Sequence, residues 1–253
     1  MMKLQAHPVE KPWGRVDIPA AFNMRANQKI GEIWFDDGNP EPLPLLIKWL
    51  FTSEKLSIQV HPNDAQAKQR GQKSGKEECW YIVDAQAGAM LGIGTKVPLT
   101  ADALMAASLD GSIEGLLDWK PVKAGDFYYI PAGTVHAIGA GITLVEVQQY
   151  ADITYRLYDY GRPRELHLAD GVAVSVAEPY ADLRSGNALT SKQLVNGPYF
   201  RLWLTDSPEA LAALPTGTLR WLIPLEGKHK GSCILLQPGT NPNFTGKMLV
   251  AMV

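Results

Sequence analysis

Residues 125–136 read GDFYYIPAGTVH, and this stretch decides the fold. Gly125 favours a turn directly before FYYI, a run of β-forming residues. Pro131 and Gly133 then favour a tight turn at the end of that strand. We therefore expect His136 to enter the next strand with its side chain directed inward. From the composition, these four residue types would fall at these spacings by chance in about 0.3% of such chains, so we interpret the pattern as meaningful.

Short apolar runs on both sides of this stretch predict a protein that consists mainly of β-strands. The runs are rich in β-branched and aromatic residues, and many of the 23 glycines and 18 prolines separate them. Because helices do not alternate regularly with the strands, the pattern argues against a doubly wound parallel sheet. The predicted strands cover residues 31–35, 43–50, 56–60, 78–83, 89–93, 126–130, 142–148, 153–160, 199–205, 219–225, 232–237 and 247–253.

Few helices are expected, and the composition changes once along the chain. The segment 178–192 is polar and rich in turn residues, so we place a boundary there and expect a domain over residues 1–180 and a smaller β domain over residues 181–253. Three short helices are predicted at residues 63–70, 100–109 and 168–176.

Length and charge narrow the class of protein. The chain has 253 residues, 46% of them hydrophobic, and carries 24 Lys+Arg against 26 Asp+Glu. This length supports one large domain, or one domain with a small second lobe, around a buried core. The net charge of −2 argues against nucleic-acid binding, which needs a basic surface for the phosphates.

The sequence carries no signal for a membrane or for secretion. It contains no run of about 18 apolar residues, and the N-terminal stretch MMKLQAHPVEKPWG lacks the apolar run of a signal peptide. Two cysteines, Cys79 and Cys233, do not make a disulfide framework. We therefore expect a globular protein of the cytoplasm with no membrane partner and no nucleic-acid partner.

The string LSIQVHP at residues 56–62 alternates apolar and polar side chains. Residues two apart in a strand share a face, so Ser57, Gln59 and His61 lie on one side. A row of polar groups on a buried strand needs hydrogen-bond partners or a metal. A strand that faces solvent would explain the same row, and this segment alone does not decide between the two.

Glu78 begins the apolar run ECWYIV and shares a face with Trp80 and Ile82. A carboxylate at this place lies either at the rim of a barrel or in a site. Lys76, two residues earlier, is able to reach the same opening. Cys79 points the other way, and we interpret it as a small buried residue that binds no metal.

These segments together supply four candidate metal ligands near the ends of strands, so one barrel mouth can gather them. Two imidazoles, a carboxylate and an amide oxygen suit a divalent transition metal, and zinc in particular. No comparable pattern supports the other histidines as metal ligands. His167, which follows an arginine-rich turn, is interpreted as a surface residue. The four ligands are Gln59, His61, Glu78 and His136.

Several strings occur in the order and spacing of a known family: KPWG, LPLLIKWL, LSIQVHPND, GKEECWYI, PAGTVHAIG and ADITYRLYDYGR. Over roughly residues 8–180 the chain resembles the metal-dependent phosphomannose isomerases in their short bacterial form, and residues 125–136 match the second cupin motif. The resemblance implies a mainly β cupin barrel, also called a double-stranded β-helix or jelly roll, with few short helices. It also implies that residues 1–180 form the catalytic domain and that residues 181–253 form a small, incomplete second cupin.

The function that this resemblance implies is the interconversion of mannose 6-phosphate and fructose 6-phosphate with one zinc ion per chain. The ligand motif QVHP of the family falls on Gln59 and His61, and the cupin turn supplies His136. The K-x-E motif falls on Lys76 and Glu78, which makes Glu78 the ligand.

The resemblance also assigns catalytic residues. An active-site lysine of the family matches Lys48, a glutamate matches Glu146, and a catalytic arginine matches Arg156. Simpler explanations exist for two of them: the head group of Lys48 would reach water or polar company from an apolar strand, and Arg156 would form an ordinary cross-strand ion pair. The chain departs from the family pattern at Ala140 and Ala151, where asparagine and serine are usual.

Two residues are expected to contact the sugar. Ser57 shares the polar face of the QVHP strand, and Trp13 belongs to the KPWG string. For a tryptophan such as Trp13, core packing is a more common explanation than sugar contact.

The implied reaction moves a proton between C2 and C1 of a phosphosugar through a metal-stabilised enediolate. Arg156 fits either charge stabilisation or phosphate binding, and Lys76, Glu146 and Lys48 stay open as the base. Two alternatives use the same ligands: another cupin metalloenzyme, such as a sugar epimerase or a dioxygenase, and a non-catalytic sugar-binding cupin. We expect a small-molecule phosphosugar as the partner and a chain that is a monomer or a homodimer.

Overall fold

The structure is a computed structural model, and it describes residues 1–24, 27–240, 242 and 244–253. These residues form eighteen strands and five short α-helices. The strands are, in chain order, β1 Met2–Lys3, β2 Gln5–Arg15, β3 Ile30–Asp36, β4 Leu45–Phe51, β5 Ile58–Val60, β6 Glu78–Ala85, β7 Met90–Thr95, β8 Leu117–Pro121, β9 Asp126–Ile130, β10 His136–Ile138, β11 Ile142–Gln149, β12 Tyr155–Tyr158, β13 Gly186–Asn187, β14 Lys192–Asn196, β15 Arg201–Thr205, β16 Arg220–Pro224, β17 Ile234–Leu236 and β18 Met248–Met252. The helices are α1 Asp64–Gln69, α2 Ala101–Asp110, α3 Ile113–Leu116, α4 Leu168–Val174 and α5 Pro208–Ala212.

Three antiparallel sheets contain these strands. A seven-stranded sheet has the order β13-β9-β6-β11-β4-β3-β2, and a five-stranded sheet has the order β12-β5-β10-β7-β8. The two sheets face each other across one apolar cluster, which includes Leu50, Trp80 and Leu144 from the first sheet and Leu91 and Ile138 from the second. The mainly β cupin barrel expected from the sequence is confirmed.

The predicted turn between β9 and β10 closes this barrel. Gly125 and Gly133 have φ values of +87° and +88°, a left-handed conformation that glycine adopts without steric cost. The N–H of Gly133 donates to the carbonyl oxygen of His61 at 2.8 Å. The turn that precedes His136 is therefore tied directly to the end of the QVHP strand.

The third sheet packs on the outer face of the seven-stranded sheet. It has six strands in the order β1-β17-β16-β18-β15-β14, so its members come from the C-terminal part of the chain and from Met2–Lys3. Its apolar side chains, such as Trp221 and Leu249, share one buried cluster with Trp49 and Val147 of the seven-stranded sheet. The division into domains at residue 180 stays a prediction.

Helices cover the outer face of the five-stranded sheet. Leu104 and Ala107 of α2 and Val174 of α4 lie in one cluster with Ile58 and Val60 of β5. The three predicted helices are confirmed within a few residues, and the hydroxyl of Thr100 accepts the N–H of Ala103 at 3.2 Å as the N-cap of α2. In the described part of the chain, no helix has the length and the apolar character needed to cross a membrane.

All twelve predicted strands are present with small differences at their ends, but the strand β2 was not predicted. Pro8 and Pro12 interrupt its sequence, and proline cannot donate to a neighbouring strand. The strand β2 lies at the edge of its sheet, where a missing donor is tolerated. The short strands β1, β8, β13 and β14 and the helices α3 and α5 were also missed.

Candidate functional site

The register of the five-stranded sheet brings three of the predicted site residues side by side. Gln59 of β5 lies opposite His136 of β10 on one side and opposite Arg156 of β12 on the other. His61 follows β5 by one residue and shares the face of Gln59. Strand pairing thus joins residues that are up to about one hundred positions apart in the sequence.

The register of the seven-stranded sheet supplies the opposite wall. Glu146 of β11 lies opposite Lys48 of β4 and opposite Trp80 of β6. Glu78 precedes Trp80 by two residues on the same strand and therefore points to the same side. Glu78, Lys48 and Glu146 are all buried.

His61, Glu78 and His136 form a compact cluster with one possible metal-binding atom each. These atoms all lie within 4.8 Å of one another. Glu78 Oε2 is 3.6 Å from His61 Nε2, and Glu78 Oε1 is 3.5 Å from His136 Nε2. Two ligands bound about 2.1 Å from one tetrahedral ion would stand about 3.4 Å apart, so these spacings fit zinc.

The two histidines are held in the tautomer that a metal requires. His61 Nδ1 lies 2.7 Å from the carbonyl oxygen of Ile153, and His136 Nδ1 lies 2.9 Å from that of Thr134. Because a carbonyl oxygen only accepts, each Nδ1 carries the proton and each Nε2 is left as a lone-pair donor. Burial, followed by the charge of Lys76, lowers the pKa of His61, and burial lowers the pKa of His136 to about 4.

Glu78 is a buried carboxylate with unmet bonding capacity. Its Oε1 atom receives no hydrogen bond from the described residues. Burial, followed by the charge of Glu146, raises the pKa of Glu78 to about 7, and the ammonium group of Lys76 opposes this shift from 2.7 Å. A divalent cation would supply the missing partner of Glu78, and the cluster therefore fits a metal.

Gln59 and Ser57 extend this cluster along β5. The hydroxyl of Ser57 donates to Gln59 Oε1 at 3.1 Å. The side-chain amide of Gln59 donates to His136 Nε2 at 3.3 Å. Gln59 thus lies next to one of the three metal-binding atoms, His136 Nε2, and its role as the fourth ligand stays a prediction.

Two lysines and a second glutamate lie beside the cluster. Glu146 Oε1 is 3.3 Å from Lys48 Nζ and 3.7 Å from Lys76 Nζ, and the indole N–H of Trp80 donates to Glu146 Oε2 at 3.1 Å. Burial would raise the pKa of Glu146, but Lys76, Lys48 and Trp80 lower it to about 2.

The same carboxylates determine the charge of Lys76. Burial alone would lower the pKa of Lys76, but Glu146 and Glu78 raise it above the usual value for lysine. In the protein without metal, Lys76 is therefore protonated near neutral pH, while the carboxylate of Glu146 is ionised. The side chain of Lys48 does not extend to water. Its ammonium group lies 4.4 Å from the centre of the Trp34 ring and contacts the carboxylate of Glu146.

A cavity of about 310 Å³ opens beside these groups, between the two sheets of the barrel. Arg156 lines it, and the side chain of this residue donates to the carbonyl oxygen of Glu165 at 3.3 Å. Trp13 is 2% exposed and packs in the apolar cluster of the barrel. Trp13 also lines the cavity, and its contact with a sugar stays a prediction. The predicted residues in the cavity wall are Trp13, Lys48, Ser57, Gln59, Lys76, Glu146 and Arg156.

The cavity wall also contains residues that were not predicted from the sequence, and one of them was expected on the surface. His167 was interpreted as a surface residue, but it is half-buried and lines the cavity. The N–H of His167 donates to the carbonyl oxygen of Arg156 at 2.8 Å, and this bond holds His167 against β12. Lys11 lies within KPWG, but its proximity to the site was not recognised. The missed polar residues are Lys11, Glu32, Asp152, Thr154, Arg164 and His167.

The fold and the cluster define a cupin barrel with a candidate metal centre. The sequence-family model of the phosphomannose isomerase type I catalytic domain matches residues 23–91 of this chain. A mannose-6-phosphate isomerase of Streptococcus mutans is 37% identical over 179 residues, which cover 67% of this chain and 56% of that protein. The chain thus spans about half the length of the curated relatives it matches.

Solved structures agree with the sequence relatives. The crystal structure of the mannose 6-phosphate isomerase from Bacillus subtilis matches with a TM-score of 0.80 at 28% identity and covers 99% of both chains. A mannose 6-phosphate isomerase solved with zinc and yttrium shares the fold, with a TM-score of 0.69 at 15% identity over 99% of this chain and 98% of that one. By sequence and by fold, the chain is thus similar to mannose-6-phosphate isomerases, and part of it matches the type I catalytic domain.

Proposed function

We propose that this chain is a zinc-dependent isomerase that interconverts mannose 6-phosphate and fructose 6-phosphate. One observation carries the proposal: a buried cluster of two histidines and a glutamate lies against a cavity lined by lysines, an arginine and an ionised glutamate. The names of the sequence relatives and of the Bacillus subtilis structure support the substrate pair. The structure bound with zinc and yttrium supports zinc as the metal.

His61, Glu78 and His136 would hold the ion, with Gln59 as a fourth ligand. Bound zinc would supply Lewis-acid chemistry, which offsets negative charge that develops on the sugar oxygens during proton transfer. The lone pairs of His61 Nε2 and His136 Nε2 are already available for this role, and the carboxylate of Glu78 would neutralise part of the charge of the ion.

The remaining charged residues would handle the substrate. The protonated Lys76 lies 3.3 Å from His61 Nε2 and 2.7 Å from Glu78, so it is positioned to hold a proton beside the reacting carbons. Glu146 is an acceptor that two lysines hold ionised. Lys76, Glu146 and Lys48 stay open as the base, since each of them lines the cavity.

The rest of the cavity wall suits a phosphosugar. Trp13 offers an aromatic surface to the apolar side of a sugar ring, and Ser57 offers a hydroxyl group. Arg156 offers a planar guanidinium for an anionic oxygen. An oxygen-dependent cupin enzyme would have no need for so many cations beside its metal, and this feature favours the isomerase over the dioxygenase.

The direct test is a coupled assay of mannose 6-phosphate conversion to fructose 6-phosphate by the purified chain. The assay would be run before chelation, after chelation and after zinc is added back. We expect chelation to remove turnover and zinc to restore it. Turnover that survives complete removal of metal would contradict the metal requirement, and a zinc-loaded chain without turnover would contradict the substrate.

A further inference from the structure

The two lysines beside the candidate metal centre have different surroundings. Lys76 Nζ lies 2.7 Å from Glu78 Oε2 and 3.3 Å from His61 Nε2, so its ammonium group is directed at two predicted ligands. Among the described residues, the one carboxylate within 4.0 Å of Lys48 Nζ is that of Glu146, at 3.3 Å. Lys76 also approaches this oxygen, at 3.7 Å. One carboxylate oxygen thus holds two ammonium groups, and Lys48 lacks the second anionic contact that Lys76 has.

The indole ring of Trp34 supplies a second contact for Lys48. Trp34 lies opposite Lys48 in the pairing of β3 with β4, and Lys48 Nζ lies over the ring, 4.4 Å from its centre. Because Lys48 is 4% exposed, its ammonium group has little access to water. The face of a tryptophan ring attracts a cation electrostatically, and the attraction is stronger where water is excluded. The ring therefore takes the place of water at Lys48.

The orientation of the Trp34 ring is itself fixed by a charged neighbour. The indole N–H donates to Glu32 Oε2 at 2.5 Å, and Glu32 Oε1 lies 3.4 Å from Lys11 Nζ. Glu32 precedes Trp34 by two residues on β3, so the two side chains share one face of the sheet. Because a turn of the ring would break the bond at its nitrogen, the ring face stays directed at Lys48.

Trp34 is not part of the cavity wall, whereas Lys48, Lys76 and Glu146 are. The ring is therefore placed to affect a reaction in the cavity through Lys48, and not by contact with the substrate. We propose that Trp34 is a positioning residue that holds the ammonium group of Lys48 against Glu146, apart from Lys76 and the metal ligands. The expected effect on turnover rests on the proposed function, but the position of Lys48 can be measured without it.

Loss of the ring should release Lys48 because the cavity gives its ammonium group another place to go. The side chain of lysine is a flexible four-carbon chain, and Lys48 lines the cavity. Its ammonium group would then leave Glu146 and turn toward the water in the cavity, so that Lys76 would be the one cation left beside Glu146. A charged group displaced by about 1 Å near the reacting atoms lowers the rate of the chemical step more than it weakens substrate binding.

The test compares Trp34→Leu and Trp34→Phe with the wild-type zinc-loaded protein. Trp119→Leu is the matched control. Trp119 is also half-buried, its ring centre lies 5.3 Å from Lys55 Nζ and its indole N–H is also bonded, but Trp119 lies outside the wall of the active-site cavity. Steady-state kinetics with mannose 6-phosphate would give kcat and KM. Zinc content and thermal unfolding would show whether each variant is loaded and folded.

We expect Trp34→Leu to lower kcat by about 10- to 30-fold, the range for loss of a cation–π contact shielded from water. The KM should change by a smaller factor, because the ring does not line the cavity. Trp34→Phe keeps an aromatic face and should keep most of the kcat, and Trp119→Leu should leave kcat and KM unchanged. A wild-type kcat in Trp34→Leu, or an equal loss in Trp34→Phe and Trp34→Leu, would overturn the proposal.

Nuclear magnetic resonance tests the position of Lys48 without any turnover. The ring current of Trp34 should shift the ε-methylene signals of Lys48 upfield in the wild-type protein, and Lys48→Met would identify these signals by their loss. In Trp34→Leu they should return to the ordinary lysine position. If the wild type does not convert mannose 6-phosphate, this pair of results would keep the positioning of Lys48 without the isomerase. An ordinary lysine shift for Lys48 in the wild type would overturn the inference, whatever reaction the chain catalyses.

Discussion

The two faces of the seven-stranded sheet differ sharply, although the same strands form both. On β4 and β11, Lys48 and Glu146 point into the cavity, while Ile47 and Val147, one residue away, point into the apolar cluster shared with the six-stranded sheet. Neighbouring residues thus serve different purposes because side chains alternate along a strand. The outer face stabilises the barrel by apolar burial, and the inner face can hold charges that would otherwise destabilise it.

The largest effect is expected on the inner side of the barrel. His136→Ala removes a metal ligand, so we expect bound zinc to be lost and turnover to fall by at least about 1,000-fold, since Lewis-acid stabilisation is worth several kcal/mol. Circular dichroism should show a folded barrel, because the β9–β10 turn depends on glycine conformations and not on the imidazole. A variant that keeps wild-type zinc and turnover would place the metal elsewhere.

The outer face should respond in the opposite way. Val147→Ala removes two methyl groups from a fully packed cluster, and we expect the free energy of unfolding to fall by about 2 kcal/mol with kcat unchanged. The neighbouring substitution Glu146→Gln is the matched comparison. It should lower kcat, since it removes the negative charge between Lys48 and Lys76. Denaturant unfolding and steady-state kinetics on both variants would show whether the two faces are separable; equal loss of kcat in both would contradict this.

The raised pKa of Glu78 predicts how metal binding depends on pH. Its pKa of about 7 in the metal-free protein means that Glu78 is protonated at pH 6, whereas both histidines are already neutral there. Zinc binding should release about one proton at pH 6 and much less at pH 8, and zinc affinity should fall by up to about tenfold from pH 7 to pH 6. Calorimetry in buffers with different ionisation enthalpies would count the protons; equal release at both pH values would contradict the shift.

Glu78 and the histidines should affect the pH dependence of stability in opposite directions. A carboxyl whose folded pKa lies above its unfolded value lowers stability as pH rises from about 4.5 to about 7. A histidine whose folded pKa is lowered to about 4 raises stability as pH rises from about 4 to about 6.5. In the metal-free protein, these opposing contributions should leave a shallow pH profile of unfolding over this range.

The smallest effect is expected where charges face water. The pair Lys29–Glu54, with 3.1 Å between its charged groups, is exposed on both sides. Because solvent screens such a pair, Lys29→Gln should change the free energy of unfolding by no more than about 0.5 kcal/mol and leave KM unchanged. A larger change in the free energy of unfolding or in KM would contradict this comparison. It would mean that loss of any charge, and not loss of a charge on the inner face, explains the effects of the other variants.

Local sequence patterns predicted much of the fold and of the candidate metal centre. Gly125, Pro131 and Gly133 specify the turn before His136 through backbone geometry, so the sequence alone revealed it. Gln59 and His61 were predicted to share one face because residues two apart in a strand point to the same side. Their convergence with Glu78 was expected because all of them lie near strand ends, and the resemblance supported it. Spacing along the chain alone does not determine which strands are neighbours.

Residues brought in by long-range register were missed. Glu32 enters the cavity because β3 pairs with β4 and places Trp34 opposite Lys48 on the same face. Arg164 and His167 enter because a left-handed turn at Tyr160 returns the chain over β12. Tyr160 is not a residue type that predicts such a turn, so the sequence around it resembles an exposed loop.

The most direct test of the proposed zinc centre measures turnover of mannose 6-phosphate and bound zinc in the same samples. Metal-free protein would be loaded stepwise, with zinc measured by elemental analysis at each step. We expect turnover to rise in proportion to bound zinc and to level off at one ion per chain. Full turnover at a small fraction of one zinc per chain, or none when one zinc is bound to every chain, would contradict it.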